Sequence, residues 1–208
     1  MELIEPTYKE CDMRKILFTL CLIALITGCS KEDEPAVPTN MSIGVSELVS
    51  FIGKSPQYVK DNFKNGTLAN EGGTLGKTEL SYHYKTNDNE YRIVFKGNTE
   101  NEMTDITVTG DFNTYANGIE VYKKEMDLIN ESIDHVTYIA RYYDKAAGLM
   151  DFSNRNEFWQ YVSENDVSRS ITETWWLVNN GIQYFTIDGT YDRDINRITV
   201  QIENKVYD

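Results

Sequence analysis

Two segments of the chain share one succession of short apolar runs, and this recurrence constrains the fold more than any other feature of the sequence. The segments are Glu79–Gly110 and Glu173–Asn204. Each contains three runs rich in aromatic and β-branched residues, broken by Asn, Asp and Gly, which is the pattern of antiparallel strands joined by tight turns. One constant offset aligns the last two runs of both segments and places Val108 on Val200.

A short helical pattern precedes each segment, as QYVKDN at Gln57–Asn62 and QYVSEN at Gln160–Asn165. Ser55-Pro56 supplies an N-cap serine followed by a proline at the first helical position. We therefore predict an α+β fold of two tandem units, each with short helices followed by a three-stranded antiparallel meander, over residues 45–112 and 151–208. The alternative is a pair of unrelated α+β stretches built from common turn chemistry.

Residues 113–150 separate the two units and carry apolar or small residues at alternating spacings of three and four, from Ile119 to Met150. Because this spacing keeps one side of a helix inward, we predict a long helical insertion. It forms one helix over residues 118–147, or two helices broken near Ser132-Ile133-Asp134. The aromatic residues and alanines favour packing of the stripe across a sheet, and a coiled-coil dimer is the alternative.

Alternation along the strands of the first unit separates two faces of its sheet. Leu80 and Tyr82 represent the apolar set that we expect beneath the helices. The opposite face, called the open face below, carries His83, Arg92 and Lys96 and is predicted to be polar and somewhat basic.

The same parity applied to the second unit places Trp176 beneath the helices and leaves Trp175, Leu177 and Tyr184 on the open face. Large apolar groups on an exposed face mark binding surfaces, and Trp and Tyr are common interface anchors. We therefore predict a binding site there. In the alternative, the two units join edge to edge and the loop predicted at Ala69–Gly76, or the N-terminal tether, covers the aromatic residues. Because both adjacent residues are tryptophan, the alternation is also satisfied with Trp175 beneath the helices and Trp176 on the open face.

Motifs for catalysis, cofactors and metals are absent from the sequence. There is no HExxH and no GxSxG, and the glycines at Gly72–Gly76 lack the lysine of a phosphate-binding loop. We predict a non-catalytic protein without a cofactor or metal ion. The alternative is a hydrolase of envelope or dietary polymers that uses a carboxylate pair such as Asp188 and Asp192. Asp192, Asp194 and Asn196 alternate in a turn and resemble part of a calcium loop, but the central glycine and the distal glutamate of that loop are missing.

A secretory signal is predicted over residues 13–28. The basic start at Met13-Arg14-Lys15 is followed by the apolar run Ile16–Ile26, which is too short to span a bilayer. The sequence Leu25-Ile26-Thr27-Gly28-Cys29 resembles the bacterial lipobox. This resemblance implies cleavage before Cys29 and lipid attachment at its thiol and new amino group, so that the lipid anchors the protein to a membrane. An ordinary signal peptide is the alternative, and residues 1–12 are interpreted as an extension before the true start.

Residues 29–44 are predicted to be a flexible acidic tether, since Ser30–Glu34 is charged and Pro35 and Pro38 follow. This segment is similar to the acidic export signal of Bacteroidetes surface lipoproteins, which implies the outer face of the outer membrane. The alternative is a periplasmic lipoprotein. Cys11 and Cys21 precede the cleavage site, so a disulfide is not expected in the mature chain.

The charge balance argues against nucleic acid as a partner. The chain has 33 acidic and 20 basic residues and a formal net charge of −13. Binding of phosphates requires clustered Lys and Arg, which this composition does not offer.

The helical stretch GKSPQYVKDNF at Gly53–Phe63, followed by a meander and then repeated, is similar to the β-lactamase-inhibitor-protein-like fold. Relatives of that fold include outer-membrane assembly lipoproteins and PepSY-like periplasmic proteins of Bacteroidetes. The resemblance implies a protein partner on the open face and no catalytic residues. The second unit lacks the Gly and Pro of this motif, and the long insertion is a further departure. A subunit of a larger outer-membrane assembly is also compatible with the resemblance.

Overall fold

A computed structural model describes residues 44–86, 89–132, 137–167, 169–179 and 183–206. All of them belong to the second of the two units into which the chain divides, Pro38–Asp208. The predicted signal peptide, the predicted lipid attachment site at Cys29 and residues 29–43 of the predicted tether lie outside these ranges. Within the ranges, no helix is long and apolar enough to cross a membrane.

Four helices and nine strands occupy the described ranges. The helices are α1 (Val45–Val49), α2 (Pro56–Asn62), α3 (Tyr115–Ser132) and α4 (Arg155–Asn165). The strands are β1 (Thr67–Thr74), β2 (Lys77–Lys85), β3 (Glu90–Gly97), β4 (Met103–Asp111), β5 (Thr137–Asp144), β6 (Gly148–Phe152), β7 (Ser170–Asn179), β8 (Gln183–Asp192) and β9 (Arg197–Val206).

All nine strands form one antiparallel sheet in the order β1-β2-β3-β4-β9-β8-β7-β5-β6. The predicted fold, two tandem units of short helices followed by a three-stranded meander, is therefore wrong. The meanders join edge to edge through β4 and β9, where Val108 lies directly opposite Val200. This pairing satisfies the backbone hydrogen-bonding groups that each meander alone would leave unpaired at its edge.

The predicted helical insertion is helical only in its first half. The predicted apolar stripe is present in α3, where Tyr122, Met126 and Ile129 are buried. Beyond Ser132 the chain instead forms β5 and β6, and β5 pairs with β7. Ala140 and Tyr142 are buried two residues apart, which is the period of a strand. Because the apolar stripe of α3 is buried within its own chain, no coiled-coil partner is needed to cover it.

The predicted loop at Ala69–Gly76 is also different, because most of it belongs to β1. This strand pairs with β2 along its length, with a register shift between Leu68 and Asn70, and all eight of its residues are exposed. It forms one edge of the sheet. A bulge of this kind at an edge discourages pairing with other chains.

The four helices pack against one face of the sheet. Ser55 caps α2 as predicted, since its hydroxyl accepts a hydrogen bond from the Tyr58 N–H. Phe63 follows α2 and contacts Tyr82 and Phe95 edge to face, with ring centroids 4.9 and 5.2 Å apart. Farther along the sheet, α4 packs on β5 and β6, where Phe158 contacts Phe152.

A glycine in β8 allows α3 to lie close to the sheet. The Tyr122 hydroxyl donates to the carbonyl of Gly189 at 2.9 Å. A Cβ at Gly189 would lie 2.2 Å from Met126 Sδ, well inside van der Waals contact. The absence of a side chain at this position therefore brings the helix axis near β8 and β9.

The tip of the β1–β2 hairpin contains a strained and exposed leucine. Leu75 and Gly76 form a two-residue turn with φ angles of 56° and 81°, and Leu75 is 94% exposed. Turns with two positive φ angles favour Asn-Gly, because leucine in this conformation is strained by about 1 kcal/mol.

We expect Leu75→Asn to raise the free energy of unfolding by about 0.5–1 kcal/mol, since asparagine tolerates this conformation and no buried contact is lost. Urea denaturation followed by circular dichroism measures the change. Leu75→Ala is the matched control and should stay within about 0.5 kcal/mol of the original, because it retains the strain. An equal gain in both variants would show that removal of the exposed leucine, rather than relief of strain, is responsible.

Candidate binding face

In the first unit, Leu80 and Tyr82 are buried, whereas His83, Arg92 and Lys96 are exposed. In the second unit, the faces predicted for the tryptophan pair are wrong. Trp175 is fully buried, lies opposite Ile187 and donates from Nε1 to Asn130 Oδ1 of α3 at 3.4 Å. Leu177, two residues along the same strand, packs against the core. Both residues therefore lie on the helix-covered face, and neither is available for the predicted binding site on the open face.

The open face instead receives Trp176, which is half-buried there. Its cross-strand neighbours are Thr137 on β5 and Thr186 on β8, and the Thr186 side chain is fully buried. Tyr184 lies in β8, opposite Val178 and Lys205; its side chain is not among those the structure describes.

A row of four threonines crosses the centre of the open face. Thr109, Thr199, Thr190 and Thr172 come from β4, β9, β8 and β7, and each lies directly opposite the next. We call this row the threonine ladder. The hydroxyls of Thr172 and Thr190 are 3.1 Å apart and share a hydrogen bond. The ladder presents methyl and hydroxyl groups on four adjacent strands at a regular spacing of about 4.8 Å.

Arginines stand at both ends of the threonine ladder. Arg92 lies opposite Thr109 and Arg141 lies opposite Thr172. Five strand spacings separate the two arginines, a distance of about 24 Å between their backbones. Arg141 pairs with Asp151 at 3.1 Å, so its charge is balanced within the chain.

A pocket of about 360 Å³ adjoins the ladder at the Arg92 end. We call it the arginine pocket, and its lining consists of His83, Glu90, Tyr91, Arg92, Thr109, Asp111 and Arg197. Two of the three polar residues singled out in the sequence thus meet here. The third, Lys96, lines a different pocket of about 400 Å³ beside the β1–β2 hairpin.

The carboxylates proposed for acid–base chemistry do not form a close pair. Asp188 and Asp192 are four residues apart on β8, which separates their backbones by about 13 Å. Paired carboxylates in glycoside hydrolysis lie about 5–9.5 Å apart. Asp188 accepts a hydrogen bond from Thr174 at 2.6 Å, and the Asp192 carboxylate accepts from the Asp194 N–H.

The calcium-loop interpretation of the same turn is not favoured by its contacts. Asp194 forms an ion pair with Lys145 at 2.6 Å. In the described part of the chain, no group of three or more His, Cys, Asp or Glu side chains is arranged to hold a metal ion.

A buried charged cluster lies on the opposite, helix-covered face. Glu173 of β7 is fully buried and its Oε2 accepts hydrogen bonds from Tyr138 at 2.7 Å and from Arg155 Nε at 2.8 Å. Arg155 also donates from Nη1 to Asp127 of α3 at 2.7 Å. The cluster therefore joins α4, α3, β5 and β7, and its role is to hold the helices on the sheet.

Burial raises the pKa of the Glu173 carboxyl above its ordinary value, and Arg155 and Tyr138 offset only part of this effect. The indole of Trp159 also lowers this pKa, yet neither Trp159 Nε1 nor Glu173 Oε1 has a hydrogen bond of ordinary geometry. The ionised carboxylate is thus held at some energetic cost in the folded protein. This cluster could not be predicted from the sequence, because its members are far apart along the chain.

Comparison of the chain with protein-family models, with curated proteins and with solved structures finds no significant match.

Proposed function

We propose that the protein is a lipid-anchored, extracytoplasmic and non-catalytic binding module, and that a protein partner docks on the open face. The observation that carries this proposal is the one-sided packing of the sheet. The helices cover one face, while the other presents the threonine ladder between Arg92 and Arg141.

The shape and charge of the open face favour a protein over a small molecule or a nucleic acid. The ladder and its arginines span about 24 Å, which is close to the width of a patch of about 800 Å² per partner in a standard interface. Charges of both signs alternate on it, as Arg197 pairs with Asp111 and Arg141 with Asp151. Such mixed patterns suit recognition of a complementary protein surface, and the net charge of −13 disfavours nucleic acid.

Membrane attachment is the second part of the proposal. It is supported by the lipobox-like sequence ending at Cys29 and by the acidic, proline-bearing tether that follows. Several acyl chains together anchor a protein stably in a membrane, whereas a single acyl chain does not. A flexible tether would leave the open face free to reach a partner, and we propose the outer face of the outer membrane as its location.

Photo-crosslinking in the cells that make the protein tests the docking face. A photoreactive residue at Gln201, which lies beside the ladder on β9, is expected to give a discrete adduct with one envelope protein. Thr190→Arg places a long charged side chain in the middle of the ladder and should reduce the adduct at least about tenfold, the effect of roughly 1.4 kcal/mol.

The matched control places the photoreactive residue at Glu120, an exposed position of α3 on the helix-covered side. Adducts of equal yield from Glu120 and Gln201, or an adduct insensitive to Thr190→Arg, would contradict docking on the open face.

Membrane fractionation of the Cys29→Ala variant tests the lipid anchor independently. Without the anchor, the protein should be released from the membrane fraction.

A further inference from the structure

Arg92 differs from the other arginines of the described ranges in having no charged or aromatic partner. Four of the six form ion pairs, namely Arg141, Arg155, Arg193 and Arg197. Arg169 lies over the ring of Tyr143, 4.6 Å from its centroid. In a chain with 33 acidic residues, a guanidinium that lines a pocket and has no carboxylate partner of its own requires an explanation.

The Arg92 side chain is nevertheless held in place. Its Nε donates to the hydroxyl of Ser81 at 3.1 Å, and Ser81 is buried on the neighbouring strand β2. This bond uses the inner edge of the guanidinium and leaves both Nη groups to donate elsewhere. A planar pair of donors matches the two oxygens of a carboxylate.

The carboxylates of the arginine pocket are already engaged. Asp111 accepts two hydrogen bonds from Arg197, at 2.6 and 3.1 Å. Glu90 lies 3.2 Å from His83 Nδ1. Of the two arginines that line the pocket, Arg92 is therefore the one without an ion-pair partner, and an incoming anion does not have to displace an existing partner from it.

We propose that the arginine pocket binds one carboxylate group, held by the two Nη groups of Arg92. On a protein partner this group is an Asp or Glu side chain or a chain terminus, so the source of the carboxylate rests on the proposed function. The pocket chemistry itself rests only on the geometry around Arg92. The pocket holds about 360 Å³ and is flanked by Thr109 of the ladder, so the carboxylate would fix one end of a partner that lies along the ladder.

Titration of the isotope-labelled full chain with sodium acetate tests the proposal, with sodium chloride keeping the ionic strength constant. The Arg92 Nε–H resonance and the Thr109 amide resonance are followed by NMR. We expect saturable shifts with half-saturation on the order of tens of millimolar, the affinity that one charge-assisted hydrogen-bonding pair supports.

Two variants of Arg92 separate charge from geometry, and a third variant is the control. Arg92→Gln should abolish saturation of the Thr109 shift, and Arg92→Lys should weaken it severalfold, because lysine keeps the charge but not the paired donors. Arg141→Gln removes an arginine from the far end of the ladder and should leave the acetate titration unchanged.

Three results would overturn the proposal: no saturable shift with acetate, the same titration in Arg92→Gln, or saturation with inorganic phosphate at lower concentration than with acetate. The last outcome would assign the pocket to a tetrahedral anion. Failure here leaves the crosslink from Gln201 unaffected, because that experiment reports on the ladder. Loss of the crosslink with intact acetate binding would instead reject the docking face and retain the pocket.

Discussion

Replacing Arg155 by alanine is expected to lower the free energy of unfolding by about 3–5 kcal/mol. The change removes the cationic partner of Glu173, which is fully buried. A buried carboxylate without its partner is strongly destabilising because its desolvation is no longer compensated. Guanidinium chloride denaturation followed by circular dichroism measures the effect as a lower midpoint with an unchanged slope.

Arg141→Ala is the matched control, because it removes an arginine from an ion pair in which both side chains are more than half exposed. Its effect should be below about 1 kcal/mol. The double variant Arg155→Ala, Glu173→Gln should recover about 2 kcal/mol, since a neutral amide can still accept from Tyr138. If the double variant is no more stable than Arg155→Ala, the loss arises from side-chain packing and not from the unpaired carboxylate.

The pH dependence of Glu173→Gln provides an independent readout of the same cluster. The pKa of Glu173 is raised in the folded protein, so the unfolded chain releases this proton at lower pH than the folded chain does. The carboxyl therefore stabilises the fold most at acidic pH, and this contribution is lost as pH rises through the raised pKa. Relative to the original protein, Glu173→Gln should gain stability as pH increases from the ordinary glutamate range towards neutrality.

Trp175→Ala is expected to destabilise the fold by about 3–5 kcal/mol, the usual range for removing a fully buried tryptophan. The indole is fully buried and contacts Tyr138, with ring centroids 5.5 Å apart. Its removal leaves a cavity under α3, which the surrounding strands fill only in part. Thermal or denaturant unfolding followed by circular dichroism is suitable, because the substitution itself alters tryptophan fluorescence.

Trp176→Ala provides the comparison at the adjacent position. Trp176 is half-buried on the open face, so its loss should lower the free energy of unfolding by only about 1 kcal/mol. A larger effect at Trp176 than at Trp175 would indicate that Trp176, and not Trp175, lies beneath the helices, as predicted from the sequence.

Strand positions in the first unit were predictable because polar residues alternate with apolar ones there. Leu80 and Tyr82 flank a serine, and the buried Tyr91 and Ile93 flank the exposed Arg92. In β7 the adjacent tryptophans satisfy either parity, so sequence alternation alone does not choose between them. The choice is made by α3, whose Asn130 accepts from the Trp175 indole.

Strands β1 and β5 were missed for different physical reasons. β1 has no apolar alternation to detect, since all its residues are exposed and its order comes from backbone pairing with β2. In β5, Ala140 continues the helical stripe of α3 while also fitting a strand with Tyr142. Tertiary pairing with β7 decides the outcome, and the high strand propensity of Tyr138, Ile139 and Tyr142 agrees with it.

The candidate site was predictable only in part. His83, Arg92 and Lys96 were assigned to the open face from alternation within single strands. The threonine ladder depends on the β4–β9 pairing, which brings Thr109 beside Thr199. The four threonines are far apart in the sequence and threonine is a common residue, so no sequence pattern identifies the ladder before the pairing of β4 with β9 is known.

The central place of β9 has a consequence for how the chain folds. This strand is the last one described along the chain, yet it lies in the middle of the sheet between β4 and β8. Its pairing with β4, as between Asp105 and Glu203, closes a long loop, and sheets built on such distant contacts fold slowly. Until β9 is in place, β4 and β8 both present open edges that can pair with other chains. A chain carried across a membrane in the N-to-C direction would therefore need protection from self-association until its final strand has arrived.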